Sequence, residues 1–212
     1  MAKLKSRSQV YSRGVGEGNL PPRYRGDEGG GEDAPFDRFQ AARLGLYIFL
    51  GALTTMFGAL AVLYLLRVSA HPEFTFQLPK LSWFSTAIIL LSSIPCQGAL
   101  NAARSGNPIG VWRGLMLTLM LGALFLALQL GSWGEIARQL QGAPVYFFPA
   151  MFYVISAAHG LHLLGGLLFV GYLLYQAHVR RLLNPNYVEL GAIYWHFLGV
   201  LWAVLFGVML IK

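Results

Sequence analysis

In a chain of 212 residues, 56% hydrophobic side chains against 12% charged ones are more apolar surface than one soluble core of this size can hide, which excludes a soluble enzyme and predicts an integral membrane protein. The net charge of +7, from sixteen basic and nine acidic residues, falls on no basic stripe of a folded surface, so it reads as a topology signal with some attraction to anionic headgroups and not as nucleic-acid binding. The single cysteine, Cys96, excludes an intramolecular disulfide and a cysteine-cluster metal site.

Residues 1–40 hold seven basic and six acidic side chains, Gly29-Gly30-Gly31 and no apolar run. This composition predicts a disordered cytoplasmic tail, with a docking arm that orders on a partner as the alternative. No apolar core with a cleavage site follows the early lysines, so the segment is not a signal peptide.

The remainder, 41–212, reads as an all-α bundle of five transmembrane helices at 44–66, 83–103, 114–133, 146–176 and 189–211. Each has the roughly 20 residues that about 30 Å of hydrocarbon requires. Runs such as Gly114-Leu115-Met116-Leu117-Thr118-Leu119-Met120-Leu121 do not alternate, which excludes a membrane β-barrel. The fourth span is overlong and is expected to tilt or protrude. Connections such as Ser105-Gly106-Asn107-Pro108 and Asn184-Pro185-Asn186 leave no room for a soluble catalytic domain. The loop at 68–82 contains His71-Pro72 and Leu78-Pro79, which favour extended or turn backbone. No internal repeat supports a transporter architecture.

Lysine and arginine stay on the cytoplasmic side of short loops. With a cytoplasmic amino terminus, twelve of the sixteen lie there and four outside, namely Arg67, Lys80, Arg138 and Lys212. Five spans then put the carboxyl end outside.

Within the spans the polar residues repeat at helical spacings. Gln97, Asn101 and Arg104 lie on the second span and Thr118 and Gln129 on the third, as interhelical glue. On the fourth, Ser156, His159, His162 and Gly165 follow at spacings of three along one broad face. Gly165-Gly166 removes bulk where a neighbouring helix could approach. On the fifth, Glu189 lies near the cytoplasmic interface and His196 about 10 Å deeper, beside a stripe of Trp195 and Trp202. The three histidines admit a haem or metal site. The plainer reading is neutral imidazoles bonded across helix interfaces, because no carboxylate or thiolate stands near them in sequence. Spans one to four carry no Asp or Glu in their cores, which argues against an ion or proton conduit.

Taken in order, these residues resemble subunit III of the haem-copper oxidases, the cytochrome c and quinol oxidase family. The resemblance runs from Arg43 to Lys212. It rests on Arg43-Leu44-Gly45 with Phe49-Leu50, on Leu90-Leu91-Ser92-Ser93 with Gln97, and on Gln129 and Trp133. Phe152, His159-Gly160-Leu161-His162 and Gly165-Gly166 follow, then Glu189 and Tyr194-Trp195-His196-Phe197 with Trp202. The chain is similar to the five-span form that lacks the first two of seven helices.

The resemblance implies an accessory, noncatalytic subunit of a respiratory terminal oxidase in a bacterial-type inner membrane. Such a subunit carries no haem or copper of its own; these belong to the partners, subunit I and subunit II. It holds bound phospholipid, is associated with a hydrophobic route for oxygen and supports turnover and proton uptake. On this reading His159, His162, Gly165, Gly166, Glu189, Tyr194, Trp195 and His196 fix the bundle, while Arg43, Arg180, Arg181 and Trp202 contact lipid or partner, with no catalytic or metal residue. Three positions depart from the family by losing an acid: Leu53, Ser132 and Gly199. Their loss removes a simple proton-handling role and motivates an alternative, a subunit III-like partner of a nitric oxide reductase or other respiratory supercomplex. An independent haem-bearing protein using the histidines is the third reading.

Overall fold

The computed structural model describes residues 38–70, 78–139, 147–180 and 184–211. The expected tail lies outside the described residues up to position 37, and its last three positions are already helical. His71-Pro72 also lies outside them. The helices are α1 Arg38–Ala70, α2 Lys80–Leu91, α3 Ser93–Arg104, α4 Pro108–Gln139, α5 Phe147–Arg180 and α6 Pro185–Leu210. With α2 and α3 taken together, five are long and apolar enough to cross a membrane, and no strand occurs among the described residues. The chain is a multi-pass membrane protein.

The second span is interrupted at Ser92 because Pro95 has no N–H to give to the carbonyl four residues back. The turn nevertheless stays right-handed at Ser92, with φ −64° and ψ −16°, so the helix continues past the break. The next connection carries its signals in two residues, Gly106 and Asn107. Gly106 takes φ +69°, a left-handed conformation that glycine adopts without a Cβ penalty. Its N–H bonds to Ala103 O at 3.3 Å and that of Asn107 to Ala102 O at 2.9 Å, which closes α3. Asn107 Oδ1 then accepts from Gly110 N at 3.0 Å, which opens α4. The turn is so tight that α3 and α4 become antiparallel neighbours. α6 opens in the same manner, with Asn184 Oδ1 accepting from Asn186 N at 3.0 Å and Pro185 at its first turn.

Four spans close a ring: α2 and α3 pack on α4, α4 on α5, α5 on α6, and α6 back on α2 and α3. α1 joins from outside and, among the described helices, packs on α5 and α6. The most apolar stretch of α1 is 17% buried against 39% for α6, so most of the first span faces outward. Two buried clusters result. The larger, around Ile89, Leu115, Phe125, Leu163, Trp195 and Trp202, belongs to the ring. The smaller joins α1 to the ring through Leu53, Phe57, Tyr64, Ile155 and Leu205.

The α4 face of the ring is built from small residues. Gly110, Gly114, Thr118 and Gly122 recur every four residues, which lines them up along one ridge. A Cβ on Gly114 would lie 2.7 Å from both Ala99 Cβ and Pro95 O, and one on Gly110 2.8 Å from Ala102 Cβ. On Gly122 it would lie 2.6 Å from Trp195 Cη2. The absence of a side chain at these positions sets the helix spacing, as small residues do where packing and not the hydrophobic effect drives association in lipid.

Candidate functional site

Polar side chains inside these spans sort into three levels along α6. At one end, Glu189 accepts from Arg104 of α3 at 3.0 Å and lies 3.9 Å from Arg43 of α1. One carboxylate therefore ties three helices together. Both arginines are well exposed, at 55% and 41% of their side chains, so the cluster also presents uncompensated positive charge outward. About two turns deeper, His196 Nε2 meets Gln97 Oε1 at 3.2 Å, and Gln97 Nε2 donates to Asn101 Oδ1 at 3.2 Å. Gln97 and Asn101 are exposed. The seam between α3 and α6 thus carries an outward-facing polar line running into membrane depth.

At the same depth Tyr194 and Trp195 of α6 point inward. Trp195 is buried and donates from Nε1 to Ser92 Oγ at 2.8 Å. This bond uses the hydroxyl beside the interruption between α2 and α3. Tyr194 OH donates to His162 O at 2.9 Å. A Cβ on Gly166 would come 3.1 Å from the Tyr194 ring, so the glycine admits the tyrosine to the α5 backbone. The adjacent Gly165 does not do this: it is exposed, and a Cβ there would meet nothing within 4 Å. The expected approach of a neighbouring helix is thus made at Gly166, because successive residues point about 100° apart.

His159 occupies the centre. It is fully buried, and neither ring nitrogen has a hydrogen-bond partner. Its ring lies 4.8 Å from Trp202, 5.8 Å from Phe125 and 6.4 Å from Phe57. His162 turns away, its Nδ1 donating to Ala158 O at 2.7 Å on its own helix while its ring packs 5.7 Å from Phe57. The three histidines therefore address a core cage, a backbone carbonyl and a glutamine on α3. Among the described residues no three His, Cys, Asp or Glu side chains come together to hold a metal.

Trp202 corrects the sequence reading that set it against lipid or partner. It is completely buried, and its Nε1 donates to Thr86 Oγ1 at 3.0 Å. Seven residues beyond Trp195, it shares that residue's inward face. Arg180 ends α5 and Arg181 lies outside the described residues. Sequence reading missed the packing role of Gly110, Gly114 and Gly122, although with Thr118 they recur every four residues, and it named Ser92 only as part of a motif, without its bond to Trp195.

At the three positions without acids the surroundings suit what is there. Leu53 is buried in the smaller cluster. Ser132 accepts from Ser82 Oγ at 3.2 Å and donates to Leu128 O at 3.1 Å. A Cβ on Gly199 would sit 3.7 Å from Ser93 Oγ.

A family model described as cytochrome c oxidase subunit III matches residues 47–211. The chain is 30% identical to the probable cytochrome c oxidase subunit 3 of Nocardia farcinica over 172 residues, covering 77% of this chain and 84% of that protein. It is 28% identical to the quinol oxidase subunit 3 of Bacillus subtilis over 198 residues, covering 90% and 92%. Similarity to the cytochrome c oxidase subunit 3 of Bacillus sp. PS3 is 29%, covering 78% and 83%.

Proposed function

This chain belongs to the cytochrome c oxidase subunit III family, and from that premise we propose that it is the accessory subunit of a haem-copper oxidase, held against the catalytic subunit I and near subunit II. Haem and copper belong to those partners, and the chain itself stabilises the catalytic subunit and holds phospholipid. It resides in a bacterial-type inner membrane with its amino terminus cytoplasmic and its carboxyl terminus outside, the orientation favoured by the basic residues around Arg104, Arg113 and Arg180.

The observation that carries the reading is the polar line on the α3 and α6 seam. Exposed Gln97 and Asn101, with His196 behind them, are costly toward hydrocarbon and inexpensive against another protein that supplies partners. A five-helix protein working alone would leave that seam to lipid. Around it, Glu189, Tyr194, Trp195 and Gly166 hold α6 to α3, α2 and α5, which gives the partner one fixed face. On this reading Arg43 and Arg104 serve anionic headgroups or acidic partner groups at the membrane surface.

The test is isolation of the tagged chain from its native membrane in mild detergent, with copurifying proteins identified by mass spectrometry. Recovery of a large haem-bearing subunit is expected, and Gln97→Leu with Asn101→Leu should reduce it. Recovery of the chain alone under conditions that keep it folded would overturn the reading. Recovery with a nitric oxide reductase would replace the oxidase.

A further inference from the structure

The apolar stretch of α5 runs Pro149–Val179, which puts its midpoint at Leu164 and His162 about 3 Å from it along the axis. His162 Nδ1 lies 2.7 Å from Ala158 O. A carbonyl only accepts, so the proton of the neutral ring is on Nδ1 and Nε2 carries a bare lone pair. A second proton would make an imidazolium at the depth where charge is most costly. Nε2 has no hydrogen-bond partner among the described residues, and unlike both nitrogens of His159 it is not sealed inside the bundle, since the residue is half-buried. Phe49 and Phe57 of α1 lie 6.4 and 5.7 Å from the ring, which places it at the margin where α1 meets α5. A polar atom that faces outward in mid-bilayer is costly unless something brings it a partner.

α5 continues this margin as a stripe. Leu161, Gly165, Leu168 and Tyr172 are exposed and follow at spacings of four, three and four, the register in which two helices form a seam. Gly165 stands at the centre of the stripe and one turn from His162, on the same side of the helix. A Cβ there would meet nothing within 4 Å, so its bareness does nothing for the packing of this chain, whose own helices approach at Gly166. For a helix from outside it permits close backbone approach.

The lone pair decides among the occupants. The N–H and O–H groups of a phospholipid stay at the headgroup, about 15 Å away, half the thickness of the hydrocarbon, and its ester carbonyls only accept. A second copy of this chain, related by a two-fold axis along the membrane normal, would bring residues of equal depth together, glycine to glycine and lone pair to lone pair. A transmembrane helix of another protein can offer a hydroxyl, indole or amide donor at this depth. α1 packs on α5 and α6 and so stands between this margin and the seam of α3 and α6, and one helix cannot occupy both.

We propose that the margin of α5 beside α1, centred on Gly165, docks one transmembrane helix of a second partner protein, and that a side-chain donor of that helix bonds to His162 Nε2. This goes beyond the accessory reading and rests on it only in taking the chain to work inside a membrane complex.

The test uses the tagged full chain in its native membrane, with p-benzoylphenylalanine in place of Leu168 on the stripe or, separately, of Ile94, which is exposed on α3 beside the seam. After irradiation the chain is isolated in mild detergent and the joined peptides are identified by mass spectrometry. Leu168 should be joined to a transmembrane peptide of a protein other than the one reached from Ile94. The yield should fall about three- to tenfold in His162→Leu, the range expected for one interhelical hydrogen bond, and recover in His162→Gln, whose Oε1 restores an acceptor at similar reach. Gly165→Leu should abolish it while the Tm of the chain and the Ile94 product stay as in wild type, because the added side chain meets nothing in the bundle. Joining of Leu168 to lipid alone, to a second copy of the chain or to the protein found at Ile94 overturns the proposal. An unchanged yield in both Gly165→Leu and His162→Leu does the same. A lipid-soluble phenol lost from the purified complex in His162→Leu, with no protein joined at Leu168, overturns the identity of the occupant. The Ile94 product reports the accessory reading separately: its absence with the Leu168 product present sinks that reading alone, and the reverse sinks this one alone.

Discussion

The ring of four spans and the outlying first span are about equally apolar in sequence, yet they are held by different means. The ring closes through helix contact at bare backbone: Gly114 sits against Ala99 and Pro95 O, and Gly122 under Trp195. α1 also contains glycines, but Cβ atoms added to Gly45, Gly51 and Gly58 would each meet nothing within 4 Å. It docks instead by side chains: Phe57 into the smaller cluster, Tyr64 OH on Met209 O at 3.1 Å, and Arg43 toward Glu189. In lipid, apolar content does not say which helices adhere, because tails solvate leucine as well as another helix does. What separates the two regions is where backbone can touch backbone.

The comparison breaks most readily at the ridge. Gly114→Leu must push α4 off the rigid Pro95 carbonyl and Ala99, for which no flexible side chain can give way. Overpacking of this kind costs about 1–3 kcal/mol, occasionally more, and here it should prevent recovery of the folded complex, with Gly114→Ala lowering Tm visibly. Gly51→Ala, the matching change on α1, should leave Tm where it was. Differential scanning fluorimetry of the three purified complexes decides; a Gly114→Leu complex that melts like wild type would remove the distinction between the regions.

Next comes the centre of the ring. Trp202→Ala deletes a fully buried indole that packs 5.4 Å from Phe125 and 4.8 Å from His159 and donates to Thr86. Truncating a buried aromatic costs about 3–5 kcal/mol. The loss should appear as a lower Tm of the whole bundle together with faster proteolysis at every loop. A change confined to α1 would mean that Trp202 belongs to the other region.

Much of the fold could be read from the chain, and the reasons are physical. Span length, the Asn184-Pro185 start, the Gly106 turn and the inward stripe that includes Trp195 all follow from local rules. What could not be read was which side of each span meets protein, because both sides are apolar and no polarity contrast marks the core. Hence sequence treats Gly165 and Gly166 alike although Gly166 packs and Gly165 does not, and it leaves Trp202 on the outer side although its spacing from Trp195 argues the opposite. The ridge of Gly110, Gly114, Thr118 and Gly122 was visible but says nothing alone about what lies opposite it. His159 was identified as a residue of interest, whereas its cage depends on Phe57 and Phe125 from helices distant in sequence.

A smaller effect should isolate α1. Tyr64→Phe removes one bond to Met209 O while keeping the ring in place. Interhelical hydrogen bonds in membranes average about 0.6 kcal/mol, so Tm should shift barely. The change should be found in local exchange: hydrogen–deuterium exchange at the carboxyl end of α1 and at Met209 should rise while α3 and α4 stay protected. Uniform loosening of all five spans would show that α1 is as integral as the rest.

The smallest thermodynamic effect should come from Glu189, a charge that joins both regions. Glu189→Gln keeps the shape and a hydrogen-bond acceptor but removes the attraction for Arg104 and Arg43. Because both arginines are largely exposed, solvent and salt screen the pair, and such bridges contribute only about 0–1 kcal/mol. Global Tm should hence change by little. Yet the two arms are unequal: Arg104 at 3.0 Å makes a direct hydrogen bond, whereas Arg43 at 3.9 Å has only Coulomb attraction. The amide Oε1 can still accept from Arg104, so the α3 arm should survive, while nothing replaces the longer-range pull on Arg43. A cysteine pair placed at the start of α1 and the start of α6 should therefore crosslink more slowly in Glu189→Gln, and the wild-type rate should fall toward it as salt is raised. If crosslinking is unchanged and indifferent to salt, Arg43 is held by something other than Glu189, and the first span is anchored without that carboxylate, by its apolar contacts and the Tyr64 bond to Met209 O.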